Sequence, residues 1–170
     1  SNKLLNKVRI SGGGRCNVTH ACFSIAEMVR KYPRGGSFLK KAFHHFFTND
    51  TIAWFKERGV VLKTEADGRM FPLTDNAQTI IDCLIKEAGK FHVDIRMNKE
   101  VKGIYTNEGK WNLVMKDDAV LPADFICIAS GGYPKIVQYD WLKKAEHSIE
   151  EPVPSLFTFN MPGNSITALM

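Results

Sequence analysis

Three consecutive glycines cannot sit inside a helix or a strand without a large conformational cost. The run Ser11-Gly12-Gly13-Gly14-Arg15-Cys16-Asn17 therefore fixes a loop near the start of this 170-residue chain. Without Cβ atoms, Gly12, Gly13 and Gly14 can take positive φ and let a ligand approach the backbone. Successive N–H groups in such a loop form an anion nest. Arg15 adds a planar cation suited to phosphate or to the edge of a flat ring. Gly12 and Gly14 fit the first half of the G-x-G-x-x-G fingerprint, but Asn17 stands at the third glycine position. On chemistry alone two readings stand: a cofactor cradle, or a plain surface turn after a strand.

A second small-residue turn, Ala129-Ser130-Gly131-Gly132, follows Phe125–Ala129. That segment, Phe-Ile-Cys-Ile-Ala, reads as a strand buried on both faces of a parallel sheet. Ligands of open α/β sheets lie outside the carboxyl ends of strands, so both turns are expected to line one sheet edge. A tight strand exit is the plainer alternative for the second.

The rest of the chain reads as a mixed pattern. Lys7–Ile10 is a short β-like piece, and residues 18–36 are irregular, broken by Pro33, Gly35 and Gly36. A helix is expected from Ser37, with Phe38, Leu39, Ala42, Phe43, Phe46 and Phe47 on one apolar face. A second, from Asp50 to Arg58, is stopped by Gly59 and completes a helical hairpin. Strands at 60–64 and 69–71 turn at Asp67-Gly68. A helix over Ala77–Lys90 and a strand over Val93–Met97 come next. Residues 100–106 and 110–116 form a hairpin, extended by Val120-Leu121 into a meander. A short helix is read at Tyr139–His147, and an extended Pro-rich stretch from Pro152. Ser1-Asn2 resembles a tag remnant.

Composition narrows the functional classes. The chain is 44% hydrophobic and 24% charged, enough for a real core. No apolar run reaches the roughly 18–20 residues that span a bilayer, and no secretory leader is visible, so a cytoplasmic protein without a membrane partner is expected. The net charge of +5 is modest and its basic residues (Arg30, Lys31, Arg34; Lys40, Lys41; Lys143, Lys144) look scattered. A nucleic-acid surface concentrates charge more, so no nucleic-acid partner is expected. Cys16, Cys22, Cys83 and Cys127 form no CxxC pair and no zinc spacing. Cys83 and Cys127 read as buried thiols. Cys16, beside Arg15, is either a loop residue or a thiol of lowered pKa. His44-His45, Asp117-Asp118 and the three tryptophans have ordinary structural readings. No residue stands out as a general acid, base or nucleophile.

With these residues on the page, Val-Arg-Ile-Ser-Gly-Gly-Gly-Arg-Cys-Asn-Val-Thr (8–19) resembles the signature of bacterial FAD-dependent oxidoreductases of the aminoacetone-oxidase-like type. These are similar to the wider two-dinucleotide-binding-domain flavoproteins. The helical pair, Leu62–Glu65 with Gly68–Pro72, Asp75–Leu84 and Ile128–Gly132 with Tyr133-Pro134-Lys135 resemble further family segments in the right order, over residues 7–160. The resemblance implies an α/β, partial FAD-binding Rossmann-like domain with an inserted helical hairpin and a β-meander. It places FAD against Gly12, Gly13, Gly14, Arg15, Cys16 and Asn17. It also assigns Val101 to the adenine and Ala129, Ser130, Gly131 and Gly132 to the pyrophosphate side. NAD(P)H is the implied reductant, and the substrate an unidentified small molecule.

The chain also departs from that family. It lacks the N-terminal βαβ unit with G-x-G-x-x-G and the acidic ribose ligand. After Lys135 the family's Thr-Gly-Ser-Thr-Gly-Asp-Gly stretch is replaced by Ile136–Asp140, and His20 stands where Asn is usual. The expectation is an interior slice of a flavoprotein, with 3–150 a partial FAD/NAD(P)-binding domain and 151–170 the start of a following domain or tail. A remnant domain of the same fold without cofactor or activity is the alternative.

Overall fold

A computed structural model describes residues 3–133 and 135–153. Ser1-Asn2 and the stretch from residue 154 lie outside the described residues. The chain divides into two compact units, one running to Asn98 and one starting at Lys99.

The first unit packs helices on a small sheet. Its elements are α1 (Asn6–Ile10), β1 (Thr19–His20), α2 (Ile25–Arg30), α3 (Gly36–His45), α4 (Thr48–Glu57), β2 (Leu62–Thr64), β3 (Arg69–Pro72) and α5 (Ala77–Lys90). The strands lie in the order β1-β3-β2, all antiparallel, with Thr19 opposite Met70 and Lys63 opposite Phe71. α5 begins where the Asn76 side chain accepts a hydrogen bond from the Gln78 N–H, 2.9 Å. Its apolar stripe buries Ala77, Ile80, Ile81 and Cys83. Ala77, Ile80 and Cys83 join Cys16, Phe55 and Val60 in one core cluster, flanked by Val8, Val18, Trp54, Leu62 and Leu84.

The second unit is an antiparallel meander, β4 (Val101–Asn107), β5 (Lys110–Met115) and β6 (Val120–Ala123), in that order. Among its described residues, Ile104 and Met115 are buried. A short helix, α6 (Asp140–Lys143), packs on β4. A 3-10 turn over Ile136–Tyr139 leads into α6, so only Asp140–Lys143, in the first half of the helix expected at Tyr139–His147, is helical.

Several sequence expectations are corrected here. Lys7–Ile10 is helical, because Val8 then packs on the core while α1 lies on α5, and among the described residues no strand runs beside it. Residues 18–36 are not irregular throughout, since Ser24 caps α2 by accepting from the Glu27 N–H. α3 stops at His45, leaving Phe46 and Phe47 outside it, and it packs on α2 rather than forming a hairpin with α4. No residue of α3 is buried, so its aromatic stripe is not core. Val93–Met97 is not a strand, and its three apolar side chains are exposed. Phe125–Ala129 is likewise coil, with Phe125 92% exposed and Cys127 an exposed thiol. Both segments carry a strand's residue pattern, but a strand also needs neighbours to take its N–H and C=O groups. Among the described residues every strand pair is antiparallel, and none includes either segment.

Candidate functional site

The glycine loop is a left-handed turn. Gly12, Gly13 and Gly14 have φ of 57°, 67° and 85°. Cys16 follows at φ 64°, and its N–H donates to the Ser11 carbonyl at 3.0 Å, closing the loop. Gly12 is required twice over, since a Cβ there would lie 2.8 Å from Phe71 Cε1 and 2.9 Å from the Asn17 nitrogen. At Gly13 a Cβ would meet nothing within 4 Å, so the backbone faces open space. Gly13, Gly14 and Asn17 are exposed, whereas Cys16 turns into the core. Cys16 is thus a packing residue that anchors the loop from inside.

Phe71, on β3, is the base of this arrangement, with 0% exposure. The Arg15 guanidinium stacks on its ring at 4.0 Å, and Arg69 lies 5.4 Å from the same centroid. Beyond Phe71 the loop runs straight into the sheet, with the Val18 N–H donating to the Met70 carbonyl at 2.9 Å. Gly68 closes the far turn, where its missing Cβ makes room for the His20 ring.

Arg15 is held by carboxylates. It forms a two-point pair with Glu65, the second contact at 3.5 Å, and reaches Asp75 at 3.5 Å. The hydrogen bond that Arg15 donates to Glu65 raises its pKa above the usual guanidinium value. Asp75 also pairs with Lys63, whose hydrogen bond, with Lys63 and Arg15 charge behind it, holds that carboxyl below the ordinary aspartate range. Arg69 bonds Asp67 at 2.7 Å and lies 3.6 Å from Glu65. Sequence reasoning identified Arg15 but not this mesh, because Glu65 is 50 residues away. The loop thus presents open backbone rather than a free cation.

The other predicted residues lie in the second unit. Val101 opens β4 opposite Met115, just before a register shift that ends at Gly103. Ala129, Ser130, Gly131 and Gly132 form exposed coil, with Gly131 at φ 78°. The turn's exit is fixed by Tyr133 and Tyr139: the Tyr133 N–H donates to the Tyr139 hydroxyl at 2.8 Å, and the rings meet edge-on at 5.1 Å. Asp117 and Asp118 are paired with Lys99 and Lys102 across the meander.

The family model described as "HI0933-like protein Rossmann domain" matches residues 1–157. This chain belongs to that family of FAD-binding flavoproteins. Its helix-and-sheet architecture is accordingly part of a Rossmann-type α/β domain, as the sequence implied. Among curated relatives, the "Ribosomal RNA dihydrouridine synthase" of Escherichia coli (strain K12) is 30% identical over 126 residues, which is 74% of this chain and 30% of the relative. The protein of the same name from Haemophilus influenzae is 26% identical over 133 residues, 76% of this chain and 32% of the relative. The chain spans under a third of the length of these relatives. No helix among the described residues is long and apolar enough to cross a membrane.

Gly12→Ala is expected to destabilise the protein by more than the roughly 1–2 kcal/mol of a left-handed alanine, because Phe71 and Asn17 must also shift. Gly13→Ala should cost only the left-handed term, and urea unfolding of the two variants measures the difference. The depressed Asp75 carboxyl stabilises the fold above the ordinary aspartate value of 3.8, and that stabilisation is lost as pH falls through its lower folded value. Asp75→Asn should therefore flatten the acid limb of the stability–pH curve while lowering stability at neutral pH.

Proposed function

We propose that this chain is the FAD-binding segment of a flavin-dependent oxidoreductase, and that the whole protein reduces a uridine ring within RNA. The observation that carries the cofactor reading is the open backbone of Gly13 and Gly14, held in a left-handed turn over Phe71. A flat or phosphorylated ligand can meet such a surface without displacing a side chain. In this reading Gly12–Asn17 line one wall of the cofactor, with Gly13, Gly14 and Asn17 offering the contact. Arg15 and Cys16 act as positioning residues, one stacked on Phe71 and one anchored in the core. Val101 receives the adenine, and Ala129, Ser130, Gly131 and Gly132 the pyrophosphate side.

A bound FAD supplies hydride transfer, while the protein orients the substrate and excludes competing reactions. The printed names of the two bacterial relatives support a uridine in ribosomal RNA as substrate. Forming dihydrouridine would add one hydride, from flavin first reduced by a two-electron donor such as NAD(P)H, and one proton from solvent across the carbon–carbon double bond of the uracil ring. This reading replaces the expectation of a small-molecule substrate.

The test is the visible spectrum of the purified full-length protein. Flavin absorbance is expected, and Gly13→Asn should greatly weaken it while leaving the fold intact, because a Cβ there meets nothing within 4 Å and asparagine tolerates the left-handed φ of 67°. A full-length protein that carries no flavin and takes up none when FAD is added would contradict the reading.

A further inference from the structure

Between Glu27 and Asp50 the sequence contains no acidic residue, yet it carries Arg30, Lys31, Arg34, Lys40, Lys41, His44 and His45. Tyr32, Phe38, Phe43, Phe46 and Phe47 are interleaved with them. Along the sequence these charges look dispersed. The fold gathers them, because α3 packs on α2 and the connection between them is short.

The exposed arc of α3 is fixed by its contacts. Leu39 and Phe43 are half-buried, and Gly36 abuts Val29 of α2. At helical spacing that leaves Lys40, Lys41, His44, His45 and Phe38 on the outward face, and all five are exposed, Phe38 to 78%. Arg30 and Lys31 end α2 and are also exposed. Arg30, Lys31, Lys40 and Lys41 form no ion pair with a described residue, whereas Arg15, Arg58, Lys63 and Arg69 of the same unit are each paired. Beside this face lies an open cleft of about 200 Å³. Tyr32, Phe43 and Phe47 form its aromatic wall, their rings 6.1 and 5.1 Å apart in sequence, with the exposed Phe46 at its rim.

We infer that this α2–α3 face is the docking surface for an unpaired RNA segment. Uncompensated cations suit a phosphate backbone, and exposed rings beside them suit unstacked bases, which is the chemistry by which proteins hold single strands. Arg30, Lys31, Lys40 and Lys41 would take phosphates, and Phe38 and Phe46 would stack bases. The inference rests on the reading of the whole protein as an RNA-directed reductase, and gives that reading a contact surface separate from the glycine loop. It revises the expectation of no nucleic-acid partner.

The experiment uses the full-length protein and a fluorescein-labelled uridine-containing RNA hairpin with a single-stranded loop, followed by anisotropy across a salt series. Lys40→Gln/Lys41→Gln is expected to weaken binding about tenfold or more at moderate salt. The slope of log affinity against log salt should fall by roughly 1.4, or about 0.7 per lost phosphate contact. Phe38→Ala should weaken binding by about fivefold or more with the salt slope unchanged. Thermal midpoint and flavin absorbance, read on the same preparations, should match the parent protein. Parent-like RNA affinity in both variants overturns the inference. So does preferential binding to phosphatidylserine–phosphatidylcholine vesicles, lost in the same variants, with RNA binding insensitive to salt. Failure of the RNA arm with flavin retained refutes this surface alone, whereas absence of flavin refutes the cofactor reading and leaves the binding result to stand by itself.

Discussion

The candidate site depends on one buried ring. Phe71 takes the edge of Gly12 on one side and the stacked guanidinium of Arg15 on another. Both contacts require a residue without a Cβ at position 12 and a planar cation at position 15. Arg15 is then oriented by Glu65 and Asp75, and Asp75 in turn by Lys63. These carboxylates and cations come from β2, β3 and the turns around them. The shape of the glycine loop is therefore set by the sheet beneath it, and its left-handed turn is defined before any ligand arrives. Preorganisation of this kind lowers the ordering cost of binding.

Charge is used in two different ways within the first unit. Around Phe71 each cation faces a carboxylate, and the result is rigidity with little net field. From Arg30 to Lys41 the cations of α2 and α3 face solvent, and the sequence between them holds no carboxylate. The first pattern suits a wall that must keep its shape against a cofactor. The second suits a surface that must attract a polyanion over a distance. The division explains how a modest net charge of +5 can include a strongly basic face.

Much of this was legible in the sequence. The helix over Ala77–Lys90, the 62–72 strand pair and the three-stranded meander all form where their periodicities and turn residues put them. These elements find partners within a few residues, so local pattern is sufficient. Val93–Met97 and Phe125–Ala129 show the opposite case. Their apolar alternation or run states a demand for burial, but pattern alone does not supply the strands on either side. The α2 helix was missed despite a local signal, since Ser24 and Glu27 have the spacing of a capping box. The Arg15–Glu65–Asp75 mesh had no such signal, because it joins positions 50 and 60 residues apart that meet only when β3 brings them under the loop. The basic face was hidden differently: its residues were visible, but their concentration depends on α3 folding back on α2.

These features together describe a flavoprotein segment with two working surfaces, a preshaped glycine wall and a basic aromatic face. In the function proposed here, the wall at Ser11–Asn17 lies against FAD in the complete protein. Amide hydrogen exchange of the full-length protein, with and without saturating FAD, tests it most directly. Marked slowing across residues 11–17 is expected when FAD is present, with α3 exchanging at an unchanged rate. Equal exchange across 11–17 in the two states, with FAD bound, would contradict it.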